Sequence, residues 1–434
     1  MIALDGLERL TGPDRPPIAL ALSGGGDSMA LLHLAKAWAD GARRTLIALT
    51  VDHGISPASA DWSSFAAKSA ARLGVAHRTL PWRGPKPATG LPAAARTARH
   101  ALLADAARAI GARVILMAHT ADDQRESALM RAAGSTLPSP RVWSPSPAWP
   151  AGRGVFLLRP LLCARRADLR LLLTRLGETW IDDPANDDLR FARARARRTL
   201  AGGPADGAPW SPSPLLPPEA LSAVRAGLGG EFSLPRAALT TASSDDRRRL
   251  VAALALSAAG TARPPSRAAL DRLVARLVFG DTTATLAGAR VEARGHEVLF
   301  CREAGERARG GLEERELTPG DDVFDGRFLI STPTGGYRVA PLRGLAGRLP
   351  LAEQRALKAL APAVRAALPA VISPAGAISC PVLSPASDVC AAPLGYARLR
   401  AALGAIRNEA EAGCRIPTVG GVVARSEINT DPLN

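Results

Sequence analysis

Through its first two hundred residues the chain repeats one pattern. A short unbroken apolar run is followed by a loop, and then by apolar positions that recur every three or four residues. The first run, Ile18-Ala19-Leu20-Ala21-Leu22, meets a glycine-rich loop and a helical pattern through Trp38. A second run at 45–51 precedes a helix expected over 59–73, and a third strand at 75–82 precedes a helix over 92–110. A fourth strand at 113–118 leads into a helix over 121–133. Unbroken apolar strands that alternate with amphipathic helices predict an α/β fold, a doubly wound parallel sheet covered on both faces. Ligands of such sheets bind beyond the carboxyl ends of the strands, where both unusual loops of this sequence fall.

Two proline-rich stretches interrupt the rhythm. Residues 136–154 hold five prolines and read as a long surface loop. Residues 203–218 hold six and no pattern, so they read as a linker closing a first domain at 1–202. Beyond it, 237–259 and 266–278 read as helices, with Ser266 placed to cap the second. Residues 282–302 alternate as a β-hairpin turning near Arg294-Gly295-His296. A helical domain ending in a hairpin is thus expected over 219–310. A small C-terminal α+β domain over 317–434, with one helical segment near 351–368, is expected to contact RNA. No internal repeat is present.

Charge narrows the choice of partner. The 434 residues include 55 Lys+Arg against 40 Asp+Glu, a formal net charge of +15 with a pI near 10.9. Only Lys36, Lys68, Lys86 and Lys358 are lysines, which a GC-rich genome would explain. Such bias does not explain why bases outnumber acids, and a polyanionic partner does. Mean hydropathy is near zero, and prolines break the longest uncharged stretch, so no membrane span is expected. The start of the chain lacks a basic–apolar–small pattern, so a cytoplasmic location is expected. Cys163, Cys301, Cys380, Cys390 and Cys414 are scattered and never spaced C-x-x-C, which argues against a disulfide framework, a zinc site or a cluster.

The loop Ser23-Gly24-Gly25-Gly26-Asp27-Ser28 lies between a buried strand and a helix start. Glycines allow close backbone approach, and a helix N-terminus presents free N–H groups and partial positive charge to an anion. This is a phosphate cradle, but it lacks the G-x-x-x-x-G-K-S/T of Walker loops and the G-x-G-x-x-G of dinucleotide sites.

S-G-G-x-D-S after the first strand resembles the signature of the PP-loop ATP pyrophosphatases. Later motifs resemble one branch, the tRNA(Ile)-lysidine synthetases. Val51-Asp52-His53-Gly54-Ile55 is similar to their V-D-H-G-L. Ala95-Arg96-Thr97-Ala98-Arg99-His100 is similar to A-R-x-x-R-Y, with His100 for the aromatic residue and no Glu just upstream. His119, Asp122, Asp123, Gln124 and Glu126 follow A-H-x-x-D-D-Q-x-E-T, and Arg131 and Gly134 follow R-G-x-G with Ala132 for the first glycine. Leu158-Arg159-Pro160-Leu161-Leu162 and the segment from Trp180 to Asn186 complete the set. The paired cysteines common among thiolating relatives are missing, which favours lysidine synthesis over that alternative.

The resemblance implies an adenine nucleotide alpha hydrolase-like fold and ATP-dependent ligation of free L-lysine to the wobble cytidine of an isoleucine tRNA with a CAU anticodon. It implies ATP held by Ser23 to Ser28, Val51 and His53, with Mg2+ at Asp27. Arg96 and Arg99 would neutralise charge at the α-phosphate, or else are solvated helix arginines. Asp122, Asp123 and Glu126 would receive lysine or metal; alternatively they cap a helix behind Thr120. Either a carboxylate or His119 would accept the proton of lysine, and Asp123 joins Asp27, Arg96 and Arg99 as a catalytic candidate. Arg131, Arg190, Arg193, Arg197 and Arg198 are tRNA-contact candidates, with Arg190, Arg193 and Arg197 on one face if helical. In the family pattern Y/F-x-R-N-x-x-R, Phe191, Arg193 and Arg197 match, and Ala194 stands for the Asn. A non-catalytic nucleotide- or RNA-binding module is the alternative of a different class.

Overall fold

A computed structural model of the protein describes residues 2–135, 139–183, 188–190, 192–201, 221–306, 312–384 and 388–413. The expected linker at 203–218 lies outside them, as do Asn186, Phe191 and Cys414. The described residues within 1–214 and 406–414 form one compact unit, and those within 215–405 form another. Among the described residues no helix is long and apolar enough to cross a membrane.

The first unit is built on a six-stranded sheet. Its strands are β1 (Ile18–Ala21), β2 (Leu46–Asp52), β3 (Ala76–Pro81), β4 (Val114–Leu116), β5 (Trp143–Pro145) and β6 (Phe156–Leu158). They run in the order β3-β2-β1-β4-β6-β5, with every neighbouring pair parallel except β5 and β6. Side chains alternate across it. Ile18, Leu20, Val114 and Leu116 enter one core, while Ala19, Leu49, Ile115 and Leu157 enter the other. Burial on both faces is why these strands read as continuous apolar runs.

The helices are α1 (Gly26–Ala42), α2 (Ser59–Arg72), α3 (Leu91–Ala109), α4 (Ala121–Ala132), α5 (Arg166–Arg175) and α6 (Ala192–Ala201). Strand order reverses between β1 and β4, so the loop before α1 and the loop before α4 open at the sheet's switch point. The expected surface loop at 136–154 is in part an edge strand. Trp143 stacks on Phe156, ring centroids 4.8 Å apart, and that aromatic contact holds β5 against β6.

Residues 406–413 group with this unit through a buried ion pair. Glu409 is 0% exposed, and its carboxylate accepts from Arg44 Nη2 at 2.9 Å, Arg44 Nη1 at 3.2 Å and the Gly12 N–H at 3.2 Å. Arg44 also donates to the Pro16 carbonyl at 2.5 Å, and Trp143 Nε1 donates to the Ile406 carbonyl at 2.9 Å.

The second unit holds two cores. An antiparallel sheet runs from Arg225–Ala226 through Phe232–Pro235, Glu297–Arg302 and Ala289–Arg294 to Thr282–Leu286, with helices Ser244–Ala259 and Arg267–Phe279 packed in its core. The expected hairpin is a three-stranded meander. Ala287 and Gly288 both have positive φ, 51° and 87°, and make an additional tight two-residue turn at a position where alanine gives little warning. The expected helix over 237–259 breaks because Ser243 caps a new one, accepting from the Asp246 N–H at 3.2 Å. The expected segment at 351–368 splits likewise into Leu351–Ala359 and Pro362–Arg365, where proline opens the second helix. The other core gathers around strands Gly320–Phe324, Phe328–Thr332 and Cys390–Pro393 and a neighbouring sheet. Burial pushes the thiols of Cys301 and Cys380 up to about 12, so both act as packing groups rather than nucleophiles.

Removing one partner of a buried pair strands the other charge. Glu409→Ala should therefore destabilise the first unit by about 3–5 kcal/mol, read as a fall in denaturant midpoint. An unchanged midpoint would show that Arg44 needs no counter-charge.

Candidate active site

The glycine-rich loop turns at Gly24, where φ is +83° and a Cβ would stand 2.6 Å from Ile181 Cδ1. Only glycine fits both demands. The Ile181 N–H donates to the Gly24 carbonyl at 2.9 Å, which ties the loop to the segment following α5. Ser28 Oγ donates to the Gly25 carbonyl at 2.9 Å and accepts from the Ser23 N–H at 3.2 Å, closing the loop on itself. Gly25 is the N-cap of α1 and offers no side-chain cap, so the first N–H groups of the helix face open space. The result is an anion-binding concavity with Asp27 in the first helical turn.

Beside it lies a buried charge cluster. Thr120 N–H donates to Asp123 Oδ2 at 2.7 Å, so the capping role weighed for Asp123 is real. Its other oxygen, with both oxygens of Glu126, faces arginines. Arg166 reaches Asp27 Oδ2 at 3.1 Å, Glu126 Oε1 at 3.1 Å and Asp123 Oδ1 at 3.3 Å. Arg193 reaches Asp123 Oδ1 at 2.6 Å and Glu126 Oε2 at 2.8 Å, and Arg197 reaches Glu126 Oε1 at 3.0 Å. Asp122 accepts from the Arg166 N–H at 2.7 Å and so caps α5 from outside it. Glu126 is 1% exposed, and only such pairing offsets the several kcal/mol that burying a carboxylate costs.

Burial pushes the Asp27 carboxyl above its ordinary value against the pull of Arg166, and Asp123 and Asp122 push the same way. Its Oδ1 is buried and has no hydrogen-bond partner. Among the described residues no group of three or more His, Cys, Asp or Glu side chains stands ready to cage a metal. One free carboxylate oxygen beside a phosphate cradle nonetheless suits magnesium, which is held by one or two carboxylates plus phosphates.

A second group is cationic and incompletely partnered. Arg96 and Arg99 lie on α3, Arg159 follows β6 and His119 precedes α4. Burial, with repulsion from Arg96 and Arg193, brings Arg99 down to about 10. Burial together with Arg96 brings Arg159 to about 10. His100 is drawn to about 2 by burial and then by Arg99, Arg96 and Arg159. His119 falls well below its ordinary value through burial and the same ring of arginines, Arg193 included. Arg99 Nε, Arg159 Nε, His100 Nε2 and His119 Nδ1 are all buried without hydrogen-bond partners. Guanidiniums that repel one another, two of them with an unpartnered Nε–H, describe a site shaped for an anion.

His53, after β2, is held below its ordinary value by burial and Arg99, and meets the Trp82 ring edge-on at 6.1 Å. Val51 is half-buried at the end of β2. Two of the arginines expected to face RNA, Arg193 and Arg197, are bonded to carboxylates of the cluster. Arg190 precedes α6 and pairs with Asp188 at 2.7 Å, so the expected stripe of three does not form. Arg131 and Arg198 are exposed. Sequence reasoning missed Arg166. No local motif marks it, and its only signal was that four clustered carboxylates require more cations than the loop supplies.

The PP-loop domain family matches residues 7–202. The chain is 50% identical over 374 residues to the tRNA(Ile)-lysidine synthase of Caulobacter vibrioides, covering 86% of this chain and 87% of that one. It is 37% identical over 349 residues to the enzyme of that name from Mesorhizobium japonicum, covering 76% of each. The synthase of Hyphomonas neptunium is 37% identical over 314 residues, 68% of this chain and 84% of its own. A match of 374 residues extends well past the PP-loop domain into the second unit, and on that length and identity the chain belongs to the tRNA(Ile)-lysidine synthase family.

Proposed function

We propose that this chain uses ATP to join free L-lysine to C2 of the wobble cytidine in the CAU anticodon of an isoleucine tRNA, acting in the cytoplasm. The observation that carries the reading is the set of buried, unpartnered nitrogens on Arg99, Arg159, His100 and His119. That group is joined through Arg193 to the carboxylates that share Arg166 with Asp27. A triphosphate laid across the loop supplies the anions that both sites lack.

The cytosine O2 attacks the α-phosphorus, and pyrophosphate departs toward Ser23, Gly24, Gly25, Gly26 and Ser28. Arg96 and Arg99 stabilise the charge that develops on the α-phosphate. The ε-amine of lysine then adds at C2 of the adenylated cytidine, and AMP leaves with the C–O bond electrons. Asp27 would hold magnesium through its free oxygen, and the ion, when bound, neutralises pyrophosphate charge. Val51 and His53 flank the nucleoside. Lysine enters near Asp122, Asp123 and Glu126, whose arginine partners are the groups it competes with.

His119 is a poor proton acceptor in this setting, because burial and then the surrounding arginines oppose its protonation. An ε-amine carried past the carboxylates to the ring of Arg96, Arg99, Arg159 and Arg193 would lose proton affinity there, which favours the nucleophilic form. Arg131, Arg190 and Arg198 remain candidates for tRNA phosphates.

Incubating the protein with ATP, magnesium, labelled lysine and the CAU-anticodon tRNA should leave label on the RNA and release pyrophosphate. Pyrophosphate release without label would favour another PP-loop chemistry, and no release at all a non-catalytic module. Asp27→Asn should abolish pyrophosphate release. The folded protein holds the Asp27 proton more tightly than the unfolded chain does, so ionised Asp27 weakens the fold once pH rises through the raised value. The Asn variant should accordingly melt no lower than wild type at pH 7; a clear drop in Tm would contradict the raised pKa. Arg96→Gln removes one repelling charge, and the acid limb of kcat, which reports the bound complex, should move to higher pH by up to about one unit. A limb that stays in place would remove Arg96 from the nucleophile's environment.

A further inference from the structure

Helix Arg267–Phe279 of the second unit buries Leu270, Leu273, Val274 and Leu277. That fixes its inward face. On the outer face Arg272, Arg276 and Phe279 follow at i, i+4 and i+7, each above the last. All three are exposed, and Phe279, at 88%, is the most open large apolar side chain among the described residues.

A lone exposed phenylalanine would need no explanation. This one has a charged setting. Just past the helix, Asp281 accepts from Arg236 Nη2 at 2.6 Å and from the Gly295 N–H at 3.0 Å. The second bond draws the tight turn around Gly295 to the helix end, and with it the exposed Arg294 and His296. The acids nearby are engaged. Asp281 pairs with Arg236, and Glu292 is shared between Arg290 at 2.6 Å and Arg294 at 3.6 Å. Arg276 donates to the Thr283 carbonyl at 3.2 Å, and among the described residues neither Arg272 nor Arg276 has a carboxylate partner.

We propose that this rim, formed by Arg272, Arg276, Phe279 and Arg294, is an RNA-contact surface. An unpaired or helix-end base of the tRNA stacks on the Phe279 ring, and the arginines take the flanking phosphates. Aromatic platforms between cations bind nucleic acid in this manner, because every base offers a face to stack and every linkage a charge to neutralise. Phenylalanine has no polar tip with which to read base edges, so the contact adds affinity without sequence choice. The proposal rests on the tRNA reading given above, and none of the active-site residues belongs to this unit.

The test measures tRNA Kd at several salt concentrations for the full chain and three variants, alongside lysine transfer to the RNA. Phe279→Ala should weaken binding about tenfold, and Phe279→Tyr should restore it to within about twofold, since either ring stacks. Arg272→Gln with Arg276→Gln should reduce the log–log salt slope by about two. Because Phe279 is solvent-facing, each variant should melt with the wild type.

Wild-type affinity in Phe279→Ala, with lysine transfer intact, would overturn the surface while leaving the function standing. Phe279-dependent RNA binding without any lysine transfer would do the reverse. Equal losses in the alanine and tyrosine variants would also overturn stacking. So would a wild-type dimer that Phe279→Ala splits at unchanged tRNA Kd, because the occupant would then be a second copy of the chain.

Discussion

Three carboxylates and three guanidiniums, with Asp123 and Glu126 buried at the centre and Arg193 and Arg197 part-exposed at the edge, govern the first unit. Asp27, Asp123 and Glu126 come from two helices that both begin at the sheet's switch point, while Arg166, Arg193 and Arg197 come from two later ones. Asp123 and Glu126 would not tolerate their positions alone, since a buried unpaired charge opposes folding by several kcal/mol. The cluster therefore fixes where α1, α4, α5 and α6 start relative to one another. It also leaves the loop before α1 open, because the acid of that loop spends only one oxygen on Arg166.

The two electrostatic groups of the site are complementary in kind. In the first, opposite charges meet and satisfy each other, which gives rigidity. In the second, like charges crowd around neutral histidines with donors unmet, which gives a place for an anion that the protein itself does not supply. Arg193 belongs to both, bonded to Asp123 and Glu126 while it repels Arg99 and His119. The same side chain that braces the carboxylates therefore couples the two groups electrostatically.

Much of this was legible in the sequence where the signal is local. The strands of the first unit show as apolar runs because both sheet faces are buried, and Thr120 with Asp123 reads as a helix start three residues apart. The glycine loop reads as an anion cradle from its place between strand and helix, and its ATP role comes from the family resemblance. Arg166 was invisible because its role depends on contacts reaching 40 residues along the chain to Glu126 and 139 to Asp27. The carboxylate partners of Arg193 and Arg197 were invisible for a related reason: a run of arginines looks solvated until the acids facing it are placed. Ser243 and the turn at Ala287 were missed because their neighbours carry helix and strand patterns across the break.

The bond from Glu409 to Arg44 joins residues separated by 365 positions. During synthesis the nucleotide-type domain emerges early, with a guanidinium in its interior and no carboxylate yet made to meet it. It reaches its finished state only when some four hundred residues have left the ribosome. A truncation at the proline-rich stretch would thus yield not an isolated catalytic domain but one missing a piece of its own interior.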